Sequence, residues 1–174
     1  MRRPPQTDAT DRCDAALVLA GVVDALAPTL EHNAVRVVVE PPSFVPEVGV
    51  ASGLLERTLS RLVGALVQLA NGGERILVRI ADVSGSPGIP RKAIGLLIAR
   101  PASLVACSVE ELRNPGYDDS GRAPDAGRLG LGFSLRLMEN LARGAGGAFV
   151  VEPNALLLVL PGAPGVSFQR GEAG

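Results

Sequence analysis

The sequence predicts an α/β two-layer sandwich, a mixed sheet with helices packed on one face. Three observations carry this. Helical and strand patterns follow the order helix, strand, helix, strand, strand, short helix, loop, helix, strand, strand, as expected when a helix layer is laid on a sheet. Leu55, Leu59, Leu62, Leu66 and Leu69 step by four and three residues, the spacing of one apolar helix face. Short β-branched runs such as AVRVVVE (34–40) and RILVRIAD (75–82) stand beside proline, glycine or polar turns, as strands do.

Taken in order, residues 1–13 are expected to be a flexible N-terminus, with the domain at 14–162 and a tail at 163–174. Thr10 or Asp11 is placed to cap a first helix over 14–31, because a short side-chain oxygen accepts from the free amides of a first turn. Leu19, Val22, Val23, Leu26 and Leu30 supply its apolar spacing. AVRVVVE is a strand ended by Pro41-Pro42, and the leucine-stepped helix stops at Asn71-Gly72-Gly73. RILVRIAD and AIGLLIAR (93–100) are two strands joined by the turn-rich VSGSPGIPRK. Ser108-Val-Glu-Glu111 has the form of a capping box opening a short helix. Residues 114–128 are expected to form a mobile loop, followed by a helix over 130–143 with a glycine stop. GAFVVEP and ALLLVLPG close the domain as a hairpin around Pro153-Asn154.

Composition narrows the function. With 174 residues and 47% hydrophobic content, the chain can fill one core. A net charge of −1 leaves no cationic excess to neutralise a phosphate backbone, and 3% aromatics with no Trp offer no stacking platform. Nucleic acid is therefore not an expected partner. Cys13 and Cys107 lack CxxC spacing and His32 is the only histidine, so structural zinc and a His-based triad lose their support. The start imitates an export signal, yet Asp8, Asp11, Asp14 and Asp24 are wrong for one. The apolar run 15–23 is also well short of the roughly 20 residues that span a bilayer. A cytoplasmic chain without a membrane segment is expected.

The stretches LLERTLSRLVGALVQLANGGERILVRI and GLGFSLRLMENLARGAGGAFVVEPNALLLVLP, together with the order of elements, resemble the ATP-binding (catalytic) domain of bacterial sensor histidine kinases. This family lies within the GHKL superfamily that includes gyrase and heat-shock ATPases, and the resemblance covers roughly residues 14–161. It implies the Bergerat fold, in which ATP lies between the helical layer and a flexible lid. It also implies an asparagine-box helix whose second Asn holds magnesium, and the matching positions here are Arg61 and Ala65. Neither ligates magnesium. On that helix face, shared by Arg61, Gly64, Ala65 and Gln68, only Gln68 offers an oxygen, and a plain solvated glutamine is the simpler account of it.

The family's D-x-G-x-G motif, whose Asp accepts the adenine amino proton, falls on Arg100-Pro-Ala-Ser-Leu104, so Arg100 and Ala102 replace the acceptor and the first glycine. Asp82 in DVSGSPGIP resembles that motif only loosely, since its spacing is D-x-x-G-x-x-G, and a hairpin loop is the preferred reading. The second glycine box becomes Gly127-Arg128-Leu-Gly130-Leu-Gly132. Two readings stay open for it: amides at a helix N-terminus that attract an anion, helped by Arg128, or glycines that let a helix pack closely. His32 sits at a helix end and reads as structural, so the chain alone is not expected to autophosphorylate.

The preferred expectation is a degenerate ATPase domain, with no catalytic residue, no metal ligand and no cofactor, that binds a signalling protein such as a kinase or response regulator. Two alternatives are kept. One is a divergent ATP-binding enzyme using magnesium, Asp82, Gln68 and the Gly130 turn; the other is a binder of a different anionic small ligand. Dimerisation through apolar surface on the first helix is left open.

Overall fold

The computed structural model describes residues 11–89, 92–116 and 120–163. The expectations for residues 1–10, for the tail from 164 onward, and for 90–91 and 117–119 within two loops lie outside these described residues. Strand β1 (Cys13–Asp14) leads into helices α1 (Ala15–Ala25) and α2 (Ala27–Asn33). Strands β2 (Arg36–Glu40) and β3 (Glu47–Val48) precede helix α3 (Ser52–Leu69), and β4 (Arg75–Asp82) and β5 (Ala93–Ala99) follow it. Helices α4 (Ala102–Val105), α5 (Val109–Arg113) and α6 (Ala126–Ala145) then lead to strands β6 (Ala148–Val151) and β7 (Ala155–Pro161).

The five-stranded sheet has the order β2-β4-β5-β7-β6, with β2 parallel to β4 and the other neighbours antiparallel. A two-stranded piece pairs β1 with β3. Because side chains alternate along a strand, Ile76, Val78 and Ile80 share one face of β4 and Leu96 and Ile98 continue it on β5. All five are buried with Leu55, Leu59, Leu62 and Leu66 of α3 and Leu131, Leu135 and Met138 of α6 in one core. The expected mixed-sheet α/β sandwich is the observed architecture. β4 has the expected bounds, and β5 ends one residue earlier than expected.

Four local expectations are corrected. The first helix is two helices bent by 55°. Pro28 stands in the first turn of α2, where a missing N–H is tolerated, whereas inside one long helix its ring would clash with the preceding turn. The cap of α1 is Asp14 rather than Thr10 or Asp11: its Oδ1 accepts from the amides of Ala16 at 2.8 Å and Leu17 at 3.2 Å. Cys13 is paired with Val48 in β1, so ordered structure begins inside the stretch expected to be flexible. Finally, α6 starts at Ala126, which removes the last residues of the expected loop and places them in the helix. No single helix among the described residues is long and apolar enough to cross a membrane.

Candidate functional site

The site expected from the sequence is built on α3 and α6. These helices run antiparallel: Gly127 lies against Leu69, Arg61 lies over Phe133, and Leu54 shares a surface depression with Asn140 and Leu141. The C-terminal end of α3 therefore faces the N-terminal end of α6, and α4 and α5 lie beside this junction. Ser103 fixes α4 there, because its Oγ donates to the Leu69 carbonyl at 2.8 Å and its amide donates to Glu74 Oε1 at 3.1 Å. The topology brings Arg100, Ala102 and the start of the 127–132 stretch to the junction at the C-terminal end of α3, whereas Arg61 lies midway along α3. Asp82 is elsewhere. It ends β4, seven steps or roughly 23 Å of extended chain from the end nearest Gln68, and its Oδ1 accepts from the Ser84 amide at 2.9 Å in the β4–β5 hairpin. Ser84 holds the Asp82 carboxyl below its ordinary range.

At the positions where the resemblance expects the asparagine box, Arg61 is exposed with its guanidinium 5.9 Å from the Phe133 ring centroid, a cation–π distance. Ala65 is buried in the core, Gly64 faces Leu26, and Gln68 is exposed. A guanidinium and a methyl group present no lone pair to a magnesium ion. At the position where the resemblance expects the adenine acceptor, Arg100 is 5% exposed and points into the protein. Its Nη1 donates to the Glu152 carbonyl at 3.0 Å, and its Nη2 donates to the carbonyls of Cys107, at 2.6 Å, and Leu104. Burial lowers the Arg100 pKa, and these carbonyls satisfy the charge that burial would otherwise penalise. Its Nε is buried without a partner among the described residues. Ala102 is the exposed first residue of α4. None of Arg61, Ala65, Arg100 and Ala102 has a side-chain oxygen to offer a magnesium ion or an adenine amino group.

The second glycine box is helical. The expectation that Gly127–Gly132 forms a turn ahead of a helix is corrected, because Gly130 and Gly132 lie in the second turn of α6, where amides are committed to the helix ladder. Among first-turn amides, that of Arg128 already donates to Asp125 Oδ1 at 2.7 Å. A carboxylate of the chain itself thus occupies the positive end of the helix, the place an anion would take. The Arg128 guanidinium is 3.9 Å from the Cys107 sulfur and close enough to Glu111 to lower that carboxyl's pKa, after the larger effect of hydrogen bonds from Ser108. Gly132 is a packing glycine: a β-carbon there would stand 3.0 Å from the Arg113 carbonyl and 3.1 Å from Pro115. Gly130 meets nothing.

The space left is small inside and open outside. Cys107, Glu111, Leu112, Arg128 and Leu131 enclose about 10 Å³, whereas Arg122, Asp125 and Arg128 border an open depression of about 470 Å³. Beside it Leu129 and Phe133, one turn apart on α6, are 51% and 47% exposed. Sequence reasoning missed Asp125, although an Asp ahead of an apolar-periodic run is a helix-start signal. It also missed the Leu129–Phe133 pair, which the i, i+4 spacing contained. Among the described residues no three His, Cys, Asp or Glu side chains converge, and Cys13 and Cys107 are free thiols. His32 is exposed in the last turn of α2.

No family model and no curated protein matches the sequence. Solved structures do. A histidine kinase from Burkholderia phymatum is similar at TM-score 0.58 and 14% identity, over 91% of this chain and 75% of that one. The mycobacterial sensor histidine kinase MprB is similar at TM-score 0.58 and 20% identity, over 90% of this chain and 99% of that one. Full-length ShkA, in complex with AMPPNP, is similar at TM-score 0.62 and 15% identity, over 91% of this chain and 32% of ShkA. The fold is that of the histidine kinase ATP-binding domain.

Proposed function

We propose that this chain is a degenerate histidine-kinase-type ATPase domain, acting in the cytoplasm as a protein-interaction or regulatory module of bacterial two-component signalling. Its partner is a signalling protein such as a kinase or response regulator, and it requires neither ATP nor magnesium. The observation that carries this reading is Arg100: the residue at the adenine-acceptor position is a buried donor spent on three carbonyls of the chain. Adenine recognition needs an acceptor there, and exchanging the side chain's role would mean unmaking part of the core. Leu129 and Phe133, with Arg61 across the ring, supply an apolar patch with a cationic border, the composition of a contact centre.

The test is thermal melting of the chain with ATP, with and without magnesium. A ligand that binds only the folded state raises the midpoint. No magnesium-dependent rise is expected, and a rise that grows with ATP concentration only when magnesium is present would sink the proposal. A second reading has one observation in its favour, the depression bordered by Arg122 and Arg128. It would bind an anionic small ligand without the metal, and inorganic phosphate or ADP alone would then raise the midpoint.

A further inference from the structure

Strand β2 is the edge of the five-stranded sheet. Its Arg36 amide donates to the Glu74 carbonyl beside β4 at 3.1 Å, so by the alternation of a parallel ladder Arg36, Val38 and Glu40 turn their backbone groups to β4. Val37 and Val39 turn theirs outward. Among the described residues none pairs with that side of β2. Alongside it runs a groove of about 730 Å³ lined by Leu30 and Glu31 of α2, by Val35 and Val37, and by Arg36 and Arg75. An unpaired edge of this composition is a template for another strand.

We propose that β2 pairs antiparallel with β2 of a second copy of this chain, centred on Val38, joining the two sheets into one. The sequence Arg36-Val-Val-Val-Glu40 is self-complementary in charge: with Val38 on the two-fold axis, Arg36 stands opposite Glu40 of the partner copy, twice. The same register sets Val37 opposite the partner copy's Val39, and these are the residues whose N–H and C=O groups point outward. Each such pair exchanges two hydrogen bonds, giving four. On the inner face the partner copy's Val37 and Val39 are carried into the groove beside Leu30, and on the outer face Val38, 41% exposed here, meets its own copy. Neighbouring registers do worse. Centring on Val39 puts Pro41, which has no N–H, opposite Val37, and centring on Val37 leaves Arg36 opposite Val38. Glu40 is already held by Arg79 on β4, which places the carboxylate on the strand face where Arg36 of the partner copy would reach it. A two-fold interface of this kind closes on itself and yields a dimer, not a fibre.

The test uses the full chain in sedimentation velocity over a concentration series. The wild type is expected to reach twice the monomer mass, and a monomer at every concentration overturns the proposal. Arg36→Glu sets two Glu–Glu contacts in the homodimer, and Glu40→Lys sets two Arg–Lys contacts. Each is expected to weaken self-association by at least about tenfold. Mixed together, the two variants restore both opposite-charge contacts, so a heterodimer is expected from two proteins that are monomeric alone. Variants that dimerise as the wild type does, or that stay monomeric when mixed while circular dichroism shows both folded, overturn the register.

Discussion

The Arg100 guanidinium donates to the Cys107 carbonyl at 2.6 Å while its other terminal nitrogen donates to Glu152, 52 residues away in sequence. One buried cation therefore ties the stretch between α4 and α5 to the β6–β7 turn. Arg100→Met keeps the apolar stem and leaves the part-buried carbonyls of Cys107 and Glu152 without the guanidinium, while the Leu104 carbonyl keeps the Cys107 amide at 3.1 Å. We expect a loss of about 1–2 kcal/mol, since an acceptor left unpaired away from water costs about 1 kcal/mol or more. The urea midpoint reads it out. An unchanged midpoint would mean that water replaces the guanidinium and that the buried cation has no structural role.

The glycines of the second box should separate when tested one by one. Gly130 is exposed, helical and open on its outer side, so Gly130→Ala should stabilise by about 0.5–1 kcal/mol through the higher helix propensity of alanine. Gly132→Ala forces a methyl to within 3.0 Å of the Arg113 carbonyl and should destabilise by about 1–3 kcal/mol. A bulky residue at 132 would thus disturb the α5–α6 contact, and loss of ligand binding in such a variant would say nothing about a phosphate. Paired urea titrations of the two alanine variants check the opposite signs.

Asp125 offers a sharper probe of the helix end. Asp125→Ala removes the acceptor for the Arg128 amide and should cost about 1 kcal/mol, as loss of an N-cap does. Asp125→Asn keeps an acceptor and removes the charge, so it should be nearly neutral in stability. Because the competing carboxylate is gone, phosphate should raise the melting midpoint of Asp125→Asn more than that of the wild type if this helix end retains affinity for anions. Equal midpoints in both would show that the end is closed to anions for reasons beyond the carboxylate.

What was legible in the sequence is what local chemistry decides. The bounds of β4 follow from period-two burial, and the capping box forms as its residue types require: Glu111 donates its amide to Ser108 Oγ and accepts the Ser108 amide. The start of α6 was not legible from propensity, because three glycines among Gly127–Gly132 weaken a helix. Tertiary packing overrides them, with Leu131, Leu135 and Met138 buried against α3 and Asp125 closing the first turn. The bend between α1 and α2 was announced by Pro28, but the apolar spacing runs through it and disguises the break. That Arg100 lacks an acceptor is written in its side chain, whereas its bond to Glu152 depends on the closing hairpin joining the sheet beside β5.

Acid should weaken the fold through three carboxylates. Glu40 is held below its ordinary pKa by the Arg79 hydrogen bond, Asp82 by Ser84, and Glu111 chiefly by the Ser108 amide. A carboxyl whose folded pKa lies below its unfolded value binds its proton more readily when unfolded. Its contribution is complete above the unfolded pKa and is lost as pH falls through the folded one. Stability should therefore hold near neutrality and decline from about pH 5 downward. All three groups are exposed, so each share is modest and the Glu40–Arg79 share should shrink with added salt. Glu111→Gln should flatten the decline, since glutamine still accepts the Ser108 amide but has no proton to bind. Urea midpoints measured from neutral pH into acid, for the wild type and this variant, give the two slopes, and parallel slopes would remove Glu111 from the account.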